Sequence, residues 1–405
     1  MRTGEPLRDP VNALSPIARR SASRPEPDDP YALGPLRKVY LIWLGGASCE
    51  GCTVATTGGT HPRIEQLLSG SIPGLPRVEL IHTLLSTESG PDFIANLLMA
   101  ERGQLDAPYL ITWEGSVADE STAGSGFWGG LGEDPADGRQ RTSREWLDRL
   151  APGAAAIIAV GTCAAWGGIP AAAGNALGAT GLGAYLGTGY RSAAGVPIVN
   201  IPGCAPVGDN FTETAAALLL HLNGLAPLPE LDASGRPAWL YAETVHSSCA
   251  RAHYYDEGVF AAIPEDDGCL VELGCWGPVV QCNMAERGMI DGHGGCMSVG
   301  GICIGCTMPG FPDRFAPFFQ RPDLATEALA ETAPPTGGGF LRRMRLMRGR
   351  HPRAGEAAVV APGPPARPRR PRSTAAGSHP FYRLGTGPVA PPGGAGPVPP
   401  ADSAR

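Results

Sequence analysis

Five short, mainly apolar runs punctuate the first half of the chain, Val39–Leu44 without a break and Val78–Leu85, Tyr109–Trp113, Ala155–Val160 and Ile198–Ile201 similar to it. Runs of this length without polar alternation suit strands buried on both faces, as in a parallel sheet covered by helices. Between them, Pro91–Arg102, Thr142–Leu150 and Asn210–Leu222 read as helices. Strands alternating with helices predict a doubly wound α/β domain over 37–235. The Gly-rich stretches around 123–140 and 174–196 fit no simple unit of that plan. Past 235 the pattern changes. Residues 236–318 are Gly-rich with little periodicity and hold seven cysteines, so metal is expected to help order them. Residues 1–36 read as a flexible arm, and 319–405 as a basic, Pro-rich and largely disordered tail.

Charge refines this picture. The formal net charge is −7, but Leu341–Arg405 carries twelve Arg against Glu356 and Asp402, a local +10 that leaves −17 elsewhere. An acidic body offers no nucleic-acid surface. The tail suits either a solvated extension or docking to anionic lipid or an acidic partner. No apolar run approaches the roughly 18 residues of a membrane span. Eleven cysteines in 405 residues do not resemble a small disulfide scaffold. Arg19-Arg20 is followed by Ser-Ala-Ser-Arg-Pro-Glu-Pro-Asp-Asp, which lacks the apolar region of an export signal. The thiols are therefore expected in a reducing compartment, with the protein cytoplasmic or peripheral to the membrane.

The placement of four cysteines is informative. Cys49 and Cys52 follow the first strand run, Cys163 follows the run ending at Val160, and Cys204 follows Ile201. Loops at the carboxyl ends of strands in an open α/β sheet converge on one crevice. Three loops would deliver four thiolates there, the complement of a 4Fe–4S cluster. Taken alone, C-x-x-C also fits a redox dithiol or half a zinc site, and tetrahedral zinc matches the ligand count. Glu50 and Glu114 fall on the same predicted edge, either as loop carboxylates or with a role beside the metal.

In the second half His246 and Cys249 lie three apart, followed by Cys269, Cys275, Cys282, Cys296, Cys303 and Cys306. Eleven Cys plus His246 make twelve ligands, enough for three four-ligand clusters. Cys282 or Cys296 could instead be a spectator beside a three-iron cluster, and zinc is the main competitor. His61, His82, His221, His253 and His293 lack comparable partners and read as ordinary structural or surface residues.

From about Val39 to Asp313 these motifs resemble the small subunit of nickel–iron hydrogenases. The matching stretches are Trp43-Leu-Gly-Gly-Ala-Ser-Cys-Glu-Gly-Cys52, Glu114-Gly-Ser116, Gly161-Thr-Cys-Ala-Ala-Trp-Gly-Gly168, Pro202-Gly-Cys-Ala-Pro206, His246-Ser-Ser-Cys249, Cys269 through Gly274-Cys-Trp-Gly-Pro278, and Cys303-Ile-Gly-Cys306. The resemblance implies a flavodoxin-like first domain followed by a loop-rich iron–sulfur domain. It implies a proximal cluster on Cys49, Cys52, Cys163 and Cys204, and a distal one on His246, Cys249, Cys269 and Cys275. Cys303 and Cys306 match two medial ligands, and Cys282 and Cys296 lie in the medial region. Four medial cysteines resemble the soluble, oxygen-insensitive, high-affinity uptake class. In that class a carboxylate is thought to take one proximal position, which makes Glu50 a candidate, ranked below four thiolates.

The resemblance further implies a large subunit holding the nickel–iron centre, since nothing here resembles that subunit's paired C-x-x-C ligands. This chain would pass electrons from hydrogen oxidation, proximal to medial to distal, towards a quinone, cytochrome or other carrier, as part of an oligomer of heterodimers. The competing readings are a respiratory-complex iron–sulfur subunit with the same α/β domain, and a zinc-ordered interaction module. The ligand-rich segment from His246 onward discriminates against the first.

Overall fold

The computed structural model describes residues 33–82 and 91–320, which lie within one compact unit. The expected arm before Leu33, the tail beyond Gln320, and the end of the Val78–Leu85 run lie outside the described residues. Leu36, placed in the arm by sequence, belongs to the body. It is buried and its N–H donates to Asn223 Oδ1 at 2.8 Å.

In chain order the first part comprises β1 (Lys38–Gly45), α1 (Gly51–Thr57), α2 (Ile64–Ser69), β2 (Arg77–His82), α3 (Pro91–Glu101) and β3 (Tyr109–Glu114). A hairpin of β4 (Gly130–Asp134) and β5 (Arg139–Thr142) follows. Then come α4 (Ser143–Leu150), β6 (Ala156–Val160), α5 (Gly161–Trp166), α6 (Leu182–Leu186), β7 (Val199–Ile201) and α7 (Gly208–Leu222). The main sheet is parallel throughout, in the order β2-β1-β3-β6-β7. Leaving aside the hairpin, that is the flavodoxin-like order 2-1-3-4-5, which reverses direction between the first and third strands.

The inner runs are mainly apolar because β1, β3 and β6 are covered on both faces. Ile42 and Leu44 of β1, Ile111 and Trp113 of β3, and Ile157 of β6 face one core with Phe93, Ile94 and Leu97 of α3 and Trp146, Leu147 and Leu150 of α4. Val39 and Leu41 of β1 and Leu110 of β3 turn the other way, against Leu67 of α2 and Phe211, Ala215 and Leu219 of α7. Each fully buried large side chain contributes about 1.5–3 kcal/mol, which fixes strand register and hence where the strand-end loops emerge. A reciprocal capping box starts α4. Glu145 N–H donates to Thr142 Oγ1 at 3.0 Å, and Thr142 N–H donates to the Glu145 carboxylate at 2.8 Å.

Beyond residue 240, regular structure shrinks to α8 (Val245–Ser248), α9 (Ala252–Glu257), α10 (Met284–Arg287) and short 3-10 turns. Among the described residues no strand longer than an isolated bridge forms here. Val245, Trp276, Val280, Met297, Ile302, Phe311 and Phe315 make a small core, and cysteines are part of it. Polar links from α7 tie it to the sheet region. Asn210 of α7 and Asn283 exchange side-chain amide bonds at 3.1 and 2.7 Å, and Arg287 of α10 pairs with buried Glu213 of α7.

Candidate metal centres

The loops that follow β1 and β3 are sewn together where they leave the sheet. Ala47 and Ser116 exchange backbone hydrogen bonds at 2.9 and 3.1 Å. Gly46 makes that crossing possible, because a Cβ there would stand 2.2 Å from Ser116 O. This fixes Cys49 at the sheet edge and starts α1 over it. Glu114, the last residue of β3, is 1% exposed and anchors α1 from below. It accepts from the N–H of Cys52 at 3.0 Å, from the N–H of Thr53 and from Trp43 Nε1 at 3.2 Å each, and from Thr53 Oγ1. Its role is therefore to orient the thiol-bearing turn from the buried side.

The thiols of the other two strand ends arrive at the same place. Gly161 begins α5 with φ +85°, and a Cβ on it would lie 2.4 Å from Cys52 Sγ and 3.7 Å from Gly203 O. Cys52 thus packs over the start of α5, between the loops of Cys163 and Cys204. Burial raises the Cys52 thiol, and so do the nearby Glu114 carboxylate and the thiols of Cys163, Cys49 and Cys204. Cys163 is pushed up to about 11, mainly by burial. Cys49 and Cys204 face solvent in the isolated chain. Glu50 is exposed beside them, with left-handed backbone (φ 63°) at the N-cap of α1 and its N–H on Ser48 Oγ.

The remaining cysteines divide between two enclosed spaces. One cavity is lined by His246, Cys249, Cys269 and Cys275, with Val245, Leu270 and Met297 as apolar wall. The other is lined by Cys282, Cys296, Cys303 and Cys306, and its far wall is Pro202, Gly203 and Ala205 of the Cys204 loop. Each sequence-derived set of four is thereby brought together. Burial pushes Cys269 and Cys282 up to about 11 and lowers His246, so in the bare chain these groups favour their neutral forms. His246 stands edge-on to Tyr255, ring centroids 4.9 Å apart.

Backbone N–H groups point at the sulfurs: Ile169 at Cys163, Val271 at Cys269, Gly277 at Cys275, Met284 at Cys282 and Gly305 at Cys303. Such donors favour thiolate over thiol. All eleven cysteines are free. Among the described residues no three His, Cys, Asp or Glu side chains converge closely enough for one metal ion. Thiols spaced around a cavity suit a cluster whose corner irons each take one ligand.

Thr162, which sequence reasoning does not single out, joins the sites. Its N–H donates to Gly203 O at 3.1 Å, its Oγ1 accepts from Gly203 N–H at 2.9 Å, and its hydroxyl donates to Cys306 O. The only signal in the sequence is its place immediately before Cys163. Of the unassigned histidines, His221 Nδ1 lies against Ala226 O, His293 Nδ1 against Asp291 O, and His253 stacks on Tyr254.

A flavodoxin-like sheet that gathers thiols at its strand ends, continued by a loop-rich half organised around further thiols, is the build of an iron–sulfur electron-transfer protein. Residues 49–218 match the family of the NADH ubiquinone oxidoreductase 20 kDa subunit, and residues 241–319 match the family of the C-terminal region of NiFe/NiFeSe hydrogenase small subunits. The periplasmic [NiFeSe] hydrogenase small subunit of Desulfomicrobium baculatum is 34% identical over 70% of this chain and 87% of its own length. The hydrogenase-2 small chain of Escherichia coli K12 is 32% identical over 67% of each. Among solved structures, an actinobacterial-type NiFe-hydrogenase from Ralstonia eutropha H16 aligns with TM-score 0.70 and 44% identity, covering 81% of this chain and 95% of that one. This chain belongs to the nickel–iron hydrogenase small-subunit family. It is the electron-transfer component of a hydrogenase whose nickel–iron site lies in the large subunit. The second-half match decides against the respiratory-complex reading, whose family shares only the first half.

Proposed function

We propose that the chain carries three 4Fe–4S clusters in series and hands electrons from the large subunit to a separate acceptor. Cys49, Cys52, Cys163 and Cys204 would hold the proximal cluster, and Cys282, Cys296, Cys303 and Cys306 the medial one. His246, Cys249, Cys269 and Cys275 would hold the distal cluster. The observation that carries this reading is the partition of twelve ligands into three sets of four, two of them lining separate cavities. When bound, such clusters supply one-electron redox chemistry.

The chain's own residues do the rest. Glu114 and the Ala47–Ser116 crossing hold the proximal thiols at an edge open to the large subunit. The apolar walls of the two cavities exclude water, and the N–H groups aimed at sulfur stabilise ligated thiolate. Four cysteines around the medial cavity favour a four-iron over a three-iron centre. Four proximal thiols complete a ligand set with Glu50 outside it. His246, half-buried, is a suitable electron exit, because a neutral imidazole replacing a thiolate makes the distal centre less negative.

Anaerobic purification of the complex tests this. About twelve iron and twelve acid-labile sulfide per chain are expected for three cubanes. A colourless protein, or one holding zinc without sulfide, would overturn the reading.

A further inference from the structure

Arg236 is only 3% exposed, deep for a guanidinium. It enters the interior from a turn begun by Asp232. The Asp232 carboxylate accepts from the N–H groups of Ser234 and Arg236 at 2.8 and 3.0 Å, and from Arg236 Nε at 2.7 Å. The rest of the fork reaches side chains next in sequence to the thiols of the middle cavity. Nη2 donates to the side chain of Gln281, the neighbour of Cys282, and Nη1 approaches Met308 Sδ, two residues past Cys306, at 3.7 Å. The guanidinium also lies over the Tyr241 ring, 5.0 Å from its centroid. Thr307 Oγ1 donates to Gln281 O at 2.8 Å, tying the two cysteine-bearing stretches together around the cation. A guanidinium has no lone pair to give a metal, so it acts here through its charge and its hydrogen bonds.

Its counterion does not cancel that charge. The Asp232 side chain is 24% exposed against 4% for Arg236. Water therefore screens the anion more than the cation, whose field acts through a low-dielectric interior.

We propose that Arg236, offset by Asp232, sets the reduction potential of the centre held by Cys282, Cys296, Cys303 and Cys306, keeping it above the value its four thiolates alone would give. The proposal rests on the three-centre reading above. Reduction adds one negative charge to such a centre, and a fixed buried cation stabilises the reduced form. Beside the proximal thiols stands the Glu114 carboxylate, 3.0 Å from the Cys52 N–H. A carboxylate there acts in the opposite sense. Both groups bias the first transfer, proximal to medial, in the forward direction for an electron leaving the large subunit.

Potentiometric titration of the anaerobic complex, followed by electron paramagnetic resonance, tests this. In Arg236→Gln the medial midpoint should fall by the equivalent of about tenfold in the oxidised-to-reduced ratio, ~59 mV for one electron, with the proximal midpoint unmoved. Arg236→Lys should keep most of the wild-type value. Asp232→Asn, which preserves the oxygen acceptor of the turn, should move the midpoint upwards. Unchanged medial midpoints in Arg236→Gln and Asp232→Asn, with iron and sulfide intact, overturn the proposal. If Arg236→Gln loses the centre, the direction of the Asp232→Asn shift decides alone. Absence of a third set of iron and sulfide from the unmutated complex overturns the three-centre reading as well, and metal analysis reveals that before any titration.

Discussion

The backbone N–H of Cys303 donates to Cys275 Sγ at 3.3 Å, so a residue lining one cavity is bonded to the thiol that lines the next. The same relation recurs one step earlier, where the N–H of Cys204 points at the thiol of Cys306. Each gap between neighbouring thiol sets is thus crossed by an N–H···S contact between ligand-bearing loops. These loops cannot shift independently, which keeps the spacing between sites fixed.

Thr162 is where this coupling is most exposed to mutation. Thr162→Val keeps the shape but removes the hydroxyl bonds to Gly203 N–H and Cys306 O, in a position 1% exposed. A buried donor and acceptor left unsatisfied cost about 1–3 kcal/mol each. The variant should unfold at lower denaturant and pass electrons from the first to the second centre more slowly. Stopped-flow reduction of the holo-complex checks the second point, and an unchanged rate would remove Thr162 from the junction.

Gly161→Ala should disturb the proximal site without unfolding the sheet. The residue sits at φ +85°, and its added Cβ would press within 2.4 Å of Cys52 Sγ. Left-handed backbone alone costs an L-residue roughly 1–2 kcal/mol. The expected result is loss of the proximal resonance signal with circular dichroism unchanged. An intact signal would show that Cys52 can move aside.

His246→Ala separates exit from chemistry. Hydrogen–deuterium exchange occurs at the large subunit and should persist, while hydrogen-dependent dye reduction slows. Equal rates in both assays for variant and wild type would count against His246 as the exit ligand.

Removing the metal should melt one half of the protein before the other. The core around Trp276, Met297 and Phe311 is small and includes Cys275 and Cys303, whereas the sheet core around Ile111, Trp146 and Ile157 contains no cysteine. Chelation under reducing conditions should speed amide exchange in 244–315 well before it does so in β1, β3 and β6. Simultaneous loss of protection in both regions would show that the halves unfold as one.

Much of this is legible in the residues. The five apolar runs correspond to the five strands of the main sheet, and the three helical stretches to α3, α4 and α7 to within two residues at either end. Continuous hydrophobicity is a strong signal when both faces are covered. The β4–β5 hairpin gives no such signal, because Gly130–Asp134 and Arg139–Thr142 are mostly exposed and polar. The short helices α1 and α5 look like loops in the sequence, since seven and six residues carry too little periodicity. The convergence of Cys49, Cys52, Cys163 and Cys204 follows from topology. Arg236 does not. A basic residue in an Asp-Ala-Ser-Gly-Arg-Pro turn looks solvated until the fold turns it inwards.

Cys269, Cys275 and Cys303 are each less than a tenth exposed, while Cys49 and Cys204 open onto solvent in the single chain. A thiol reagent offered to the single folded chain should therefore modify Cys49 and Cys204 first, with the three inner thiols shielded by the loops around them.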